Sequence, residues 1–277
     1  LCTEIVVAQG DDVELRRTRM RNLSGQARRI EVTSYTEPVL ALSAFDDAHP
    51  AFSKLFVQSE IVAAQNAILC TRRPREEEES TPWLVNAMVV HGAQAADISF
   101  ETSRADFIQR GNNNALPAAL VERTPLNGAA GSVLDPALVI RRVITLAPGA
   151  EASIDLVLGV AGNRDEALQL AGKYADRACV TRACELAANH AQSTLQGLST
   201  TEADAQLYAR LAGAVLYPQR ALRAAPELIA GNRRGQSGLW PYAISGDLPI
   251  VLLRVDDANT LALARQLLQA HAWWCVK

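Results

Sequence analysis

The sequence predicts an α+β protein, an N-terminal antiparallel β-sandwich followed by helices. Two observations carry this. Apolar residues alternate in period two along much of the first 160 or so positions, with no helical periodicity between the runs. After Asn163 the period lengthens to that of a helix.

VELRRTRM (13–20) and RRIEVTSYTE (28–37) alternate, and Asn22-Leu23-Ser24-Gly25 between them has turn chemistry. LFVQSEIV (55–62), NAILCTR (66–72) and LVNAMVVH (84–91) read as the next strands. ALVIRRVITL (137–146) and ASIDLVLGV (152–160) flank the turn Ala147-Pro148-Gly149-Ala150. In the last strand Ile154, Leu156 and Leu158 share one face, and Ser153 and Asp155 begin the other. Segments 72–82 and 109–132 read as loops. Glu76–Glu79 is expected to be a solvated charge run, whereas the Asn- and Gly-rich 109–132 is long enough to be functional.

Helical spacing then links Ala167, Leu170, Ala171 and Tyr174, and next Ala183, Leu186, Ala187 and His190. His190 lies on that stripe and is expected to pack. Ser199-Thr200-Thr201-Glu202 matches a capping box and launches a helix carrying Leu207, Leu211, Ala214 and Val215 as far as Pro218. A final helix from about Asp257 carries Leu261, Ala264, Leu268 and Ala272. Trp273, Trp274 and Cys275 close it, as expected of a helix whose packing partners lie further along a longer chain.

Bulk properties exclude several function classes. The 277 residues carry a net charge of −3, so no basic footprint recommends nucleic acid. Arg16, Arg17, Arg19, Arg21, Arg28 and Arg29 fall in strand-like alternation and read as a solvated sheet face. No apolar run approaches the roughly 18 residues of a membrane span. The five cysteines are scattered, Cys179 and Cys184 have neither redox nor zinc spacing, and the four histidines lie far apart. A metal site is therefore not expected, and a reducing compartment fits best. The opening LCTEIVVAQG has no Met and no signal architecture, as in a piece of something longer.

One stretch stands apart. GLWPYAISGDLPI (238–250) gathers a Trp, a Tyr and an Asp among Gly and Pro, in a chain with 5% aromatics. A carboxylate beside aromatic faces suits a ligand rich in hydroxyls and C–H faces, which means a sugar. The plainer alternative is a core-plugging Trp and a helix-capping or turn-forming Asp247.

The stretches IEVTSY (31–36), HPAFSKLFVQSE (49–60), AILCTRRPR (67–75), LDPALVIRRVITLAPG (134–149), TEADAQLYARLA (201–212) and NRRGQSGLWPYAISGDLPI (232–250) resemble the phosphorylase-like region of cyclic β-1,2-glucan synthases. More broadly they are similar to the inverting glycoside phosphorylases acting on cellobiose, chitobiose and 1,2-β-oligoglucans. The resemblance covers essentially the whole chain. It implies a supersandwich-type β-domain over 1–162, a helical linker over 163–198 and, over 199–277, the first helices of an incomplete (α/α)6 barrel.

The resemblance also implies roles. The acid matching Asp247 would bind sugar hydroxyls in the donor subsite, with Trp240, Tyr242, Ser245 and Gln236 around it. Relatives place an Arg shortly before that Asp, where this chain has Trp240-Pro241-Tyr242. Arg234, or else Arg233, would take the incoming phosphate through its fork, although an exposed Arg pair is also a common solvated feature. Inorganic phosphate is then a co-substrate and no organic cofactor is expected. The family's general acid would lie beyond Lys277, so residues 1–277 alone should be inactive. The implied partners are a β-glucan oligosaccharide and a second copy of the chain, whose active site loop 109–132 would approach. The implied location is the cytoplasmic side of a bacterial inner membrane, reached through other domains. The rival reading is a non-catalytic carbohydrate-binding or structural sandwich that supports the barrel and dimerisation.

Overall fold

The computed structural model describes residues 1–74, 76, 80–122, 125–217, 219, 223–255 and 257–276. Most of the expected charge run (77–79) and the expected helix stop at Pro218 lie outside the described residues. The chain divides into two compact units, Leu1–Ala187 and Ala188–Lys277, so the expected linker is split between them.

The first unit is built on nine strands among the described residues. β1 (Cys2–Val7), β2 (Val13–Arg21), β4 (Val57–Val62), β5 (Ala67–Arg72), β6 (Trp83–His91) and β9 (Glu151–Ala161) form a six-stranded sheet in the order β1-β2-β9-β6-β5-β4. β3 (Arg28–Thr36), β7 (Gln94–Ser103) and β8 (Pro136–Leu146) form the second sheet, in the order β3-β8-β7. Every pairing is antiparallel.

The large sheet has two covered faces. On one, Ile68, Cys70, Met88 and Ile154 meet Phe100, Leu138, Ile140 and Ile144 of the small sheet. On the other, Val13, Leu15, Leu69, Val85 and Val157 meet two helices, α5 (Arg164–Ala175) and α6 (Arg177–Gly197). Alternation explains the split, because successive side chains of a strand leave opposite faces. β5, with apolar partners on both sides, buries all six of its residues. Burying one such Leu or Ile side chain contributes about 1.5–3 kcal/mol.

Three short connections cross between the sheets, at 22–27, Gly92-Ala93 and 147–150. Asn22 sews two of them together. Its Nδ2 donates to the carbonyls of Gln26, Leu146 and Ala147 at 2.8, 3.0 and 3.1 Å. Gly92 has φ +80°, and a Cβ there would stand 2.9 Å from the Glu151 carbonyl oxygen, so the crossing requires glycine.

Several expectations need correction. Arg17 is not on a solvated face: it is 3% exposed and forms a two-point ion pair with Asp155. Arg16, Arg19, Arg21, Arg28 and Arg29 are exposed, as expected. His190 is exposed, since burial along α6 covers Val180, Ala183 and Cys184 and goes no further. β1 and β7 also belong to the sheets, in addition to the strands expected from the sequence. Loop 109–132 contains a short helix, α4 (Ala118–Glu122), after α3 (Arg104–Ile108). Phe107, Ile108 and Ala119 pack on Ala137 and Val139 of the small sheet's outer face, so part of that loop serves as cover. The remaining short helices are α1 (Ser43–Ala48) and α2 (Pro50–Lys54), which precede β4.

The second unit holds α7 (Glu202–Leu216), α8 (Pro226–Gly231) and α9 (Ala258–Trp274). The capping box sits two residues later than expected. Thr201 Oγ1 accepts from the Asp204 amide at 3.2 Å, and the Asp204 carboxylate accepts from the Thr201 amide at 2.9 Å. Both S/T-x-x-acid registers exist in the sequence, and Ser199, at φ +52°, cannot be the extended cap residue. α7 and α9 meet through Tyr208, 2% exposed, whose carbonyl accepts from Trp274 Nε1 at 2.9 Å. Leu261 and Leu268 of the expected stripe stay exposed. No helix among the described residues is long and apolar enough to cross a membrane.

Candidate functional site

The 232–250 stretch folds into two 3-10 turns, Gln236–Gly238 and Trp240–Tyr242. Pro241 suits the second, since its ring presets φ and its missing N–H is not needed in a first turn. Ala243 at φ +57° ends that turn, and Gly246 at φ +76° turns the chain again before Asp247. A Cβ on Gly246 would stand 3.0 Å from both Gln236 Cγ and Leu239 Cδ1, so the loop closes tightly there.

Gln236 ties the loop shut. Its Nε2 donates to the Ser245 carbonyl at 2.8 Å and to Asp247 Oδ1 at 2.6 Å. Trp240 Nε1 donates to the same Ser245 carbonyl at 3.3 Å. Four of the expected residues, Gln236, Trp240, Ser245 and Asp247, are therefore brought together. The amide of Gln236 is used inside the loop, which makes it a positioning residue.

The opposite side of the loop is open. Asp247 is exposed, and its Oδ2 has no hydrogen-bond partner among the described residues. Trp240 is 62% and Tyr242 71% exposed, so Trp240 does not plug a core. Asp247 caps no helix among the described residues; the loop's turns begin at Gln236 and Trp240, before it in the chain. Arg233 and Arg234 are exposed just before the first turn, and neither forms an ion pair among the described residues. Arg234 is held at its backbone, where its N–H donates to Asn232 Oδ1 at 3.1 Å.

Chemically, one loop presents a free carboxylate oxygen and two exposed aromatic side chains, with two guanidinium groups close in sequence. The tie between Gln236 and Asp247 spans eleven positions. The sequence signals it only through Gly246, whose missing side chain makes room for Gln236. No group of three or more His, Cys, Asp or Glu able to hold a metal occurs among the described residues.

The sequence profile described as "Glycosyl hydrolase 94, supersandwich domain" matches residues 2–177, the sandwich together with α5. The chain is also 32% identical over 270 residues to the cyclic beta-(1,2)-glucan synthase NdvB of Rhizobium meliloti (strain 1021). That alignment covers 98% of this chain and 10% of the relative, so the chain spans about a tenth of the relative's length. With its two antiparallel sheets, flanking helices and a profile match over more than half its residues, the chain belongs to the glycosyl hydrolase 94 family and carries that family's supersandwich domain.

Proposed function

We propose that the chain is part of a glycoside-phosphorylase-like module acting on β-linked glucans, with 1,2-linked glucan as its substrate. The observation that carries this reading is the tied loop: Gln236 fixes Asp247 by Oδ1 and leaves Oδ2 exposed in the same loop as the exposed Trp240 and Tyr242. A carboxylate held this way accepts two neighbouring hydroxyls, and aromatic faces cover the C–H faces of a pyranose. Likeness to a cyclic β-1,2-glucan synthase supports the substrate class.

In this reading Arg234 or Arg233 holds inorganic phosphate, which attacks the anomeric carbon opposite the bond being broken. A general acid outside residues 1–277 protonates the departing sugar oxygen, as in inverting glycoside hydrolysis with phosphate in place of water. The helices of the second unit then open an (α/α)6 barrel.

The test is Asp247→Asn in the full-length protein that carries this segment. Asn keeps the volume and the acceptor that Gln236 uses, but loses the charge. Hydrogen bonds to charged groups contribute about 1.5–3 kcal/mol, so phosphorolysis of a β-1,2-glucan oligosaccharide should fall about tenfold to a few hundredfold in kcat/KM. The melting temperature should not move. Near-wild-type turnover would remove Asp247 from the sugar site, and a large drop in melting temperature would make it structural. The separate chain 1–277 should release no sugar phosphate.

A further inference from the structure

A second polar site lies at one end of the six-stranded sheet. Arg19 of β2 pairs across strands with Ser153 of β9, and Ser153 pairs with His91 of β6. Cross-strand partners share a face, so these three side chains leave the sheet together. They leave it on the side of Arg17 and Asp155, two positions along, which is the side that α6 covers. Arg17 reaches the beginning of α6, donating to Thr181 Oγ1 at 2.9 Å and the Arg177 carbonyl at 3.4 Å. The neighbouring rung opens into a cavity of about 360 Å³ lined by Arg19, Arg21, His91, Glu151, Ser153 and Arg177.

Two buried polar atoms on that rung have no hydrogen-bond partner, Ser153 Oγ and His91 Nε2. Ser153 is 6% exposed. His91 Nε2 stands 3.5 Å from Asp155 Oδ2, an oxygen to which Arg17 donates at 3.0 Å. A buried hydroxyl without a partner destabilises a fold, and natural structures seldom keep one without a reason. Around it the cavity carries three guanidinium groups and one carboxylate. Arg19–Glu4 and Arg21–Glu151 are long contacts of 3.6 and 3.5 Å between exposed groups, and Arg177 has no ion pair among the described residues. Guanidinium groups only donate, and their fork matches tetrahedral oxyanions.

We infer that this cavity binds a phosphate-type oxyanion, free or as the monoester of a small hydroxylated molecule, held by Arg177, Arg19 and the Ser153 hydroxyl. The site lies wholly in the first unit and uses none of the residues proposed for phosphorolysis.

The experiment follows backbone amide shifts of the full 277-residue chain carrying Arg233→Ala and Arg234→Ala. Inorganic phosphate and ribose 5-phosphate are titrated separately at constant ionic strength. Saturable shifts at Gly92, Ser153 and Arg177 are expected with either probe, weakened about tenfold by Arg177→Ala and several-fold by Ser153→Ala. Tighter binding of ribose 5-phosphate would identify a monoester as the ligand, and equal or weaker binding the free anion. Absence of saturation at these amides would overturn the inference, as would affinities unchanged by both substitutions. An uncharged β-glucan oligosaccharide giving the same shifts would overturn it too, in favour of a neutral sugar.

Discussion

Arg17 and Asp155 face each other from adjacent strands, Arg17 Nε 2.8 Å from one carboxylate oxygen and Nη2 3.0 Å from the other. The pair is buried between the large sheet and α6, and Asp155 draws the guanidinium pKa upward.

Removing one partner of such a pair strands the other charge, so Asp155→Asn should destabilise the first unit by about 3–5 kcal/mol. Arg17→Met combined with Asp155→Leu should recover most of that loss. Urea unfolding of the two variants beside the wild type checks both. A small effect of Asp155→Asn would mean that Thr181 and the Arg177 carbonyl alone satisfy the guanidinium.

Gly159 of β9 is a packing position, since a Cβ there would stand 2.9 Å from Val13 Cγ2 and 3.3 Å from Val85 Cγ1. Gly159→Ala should cost about 1–3 kcal/mol through overpacking. Val13→Ala in the same chain should restore part of it, which paired denaturation curves would reveal as non-additivity.

How much of this could be read from the sequence depended on how many neighbours each residue has. Strands covered on two faces, such as β5, carry long apolar runs and announce themselves. β1 is an edge strand with no fully buried residue, and β7 pairs with β8 through two irregularities, at Ala96/Ile98 and Glu101/Ser103, so neither shows clean alternation. Asn163 was legible as a boundary because its side chain caps α5, accepting from the Glu166 amide at 2.9 Å. The pairing of Arg17 with Asp155, 138 positions apart, has no local signature at all. At the candidate site Trp240, Tyr242 and Asp247 stood out by composition, whereas the bond from Gln236 to Asp247 depends on two turns that no periodicity describes.

Asp11 gives the first unit an acid-sensitive contact. Its carboxyl is held below the ordinary 3.8 first by a hydrogen bond from the Lys173 ammonium and next by one from the Tyr174 hydroxyl. A folded value below the unfolded one stabilises above the unfolded pKa, and that contribution is lost as pH falls through the lower folded value. The stability gap between the wild type and Lys173→Met should therefore be full well above the unfolded pKa and shrink as pH falls through the lowered folded value. A gap independent of pH would show that Lys173 acts through its methylene packing alone.

Gly246→Ala should open the candidate loop. The left-handed backbone costs a non-glycine residue roughly 1–2 kcal/mol, and the new methyl would press on Gln236 and Leu239. Limited proteolysis within 236–250 should speed up while the melting temperature of the sandwich stays unchanged. Equal cleavage rates would mean that the loop absorbs the methyl without releasing Gln236.

β9 pairs along its length with β2 on one side and β6 on the other, and its last residues run directly into the Asn163 cap of α5. A pull along the chain from the helical side therefore meets this strand lengthwise. It must slide β9 past both neighbours at once, loading their ladders in shear, with the buried Arg17–Asp155 contact as a catch against slippage. The sandwich should behave mechanically as an anchor, yielding by one abrupt rupture rather than by strand-by-strand peeling.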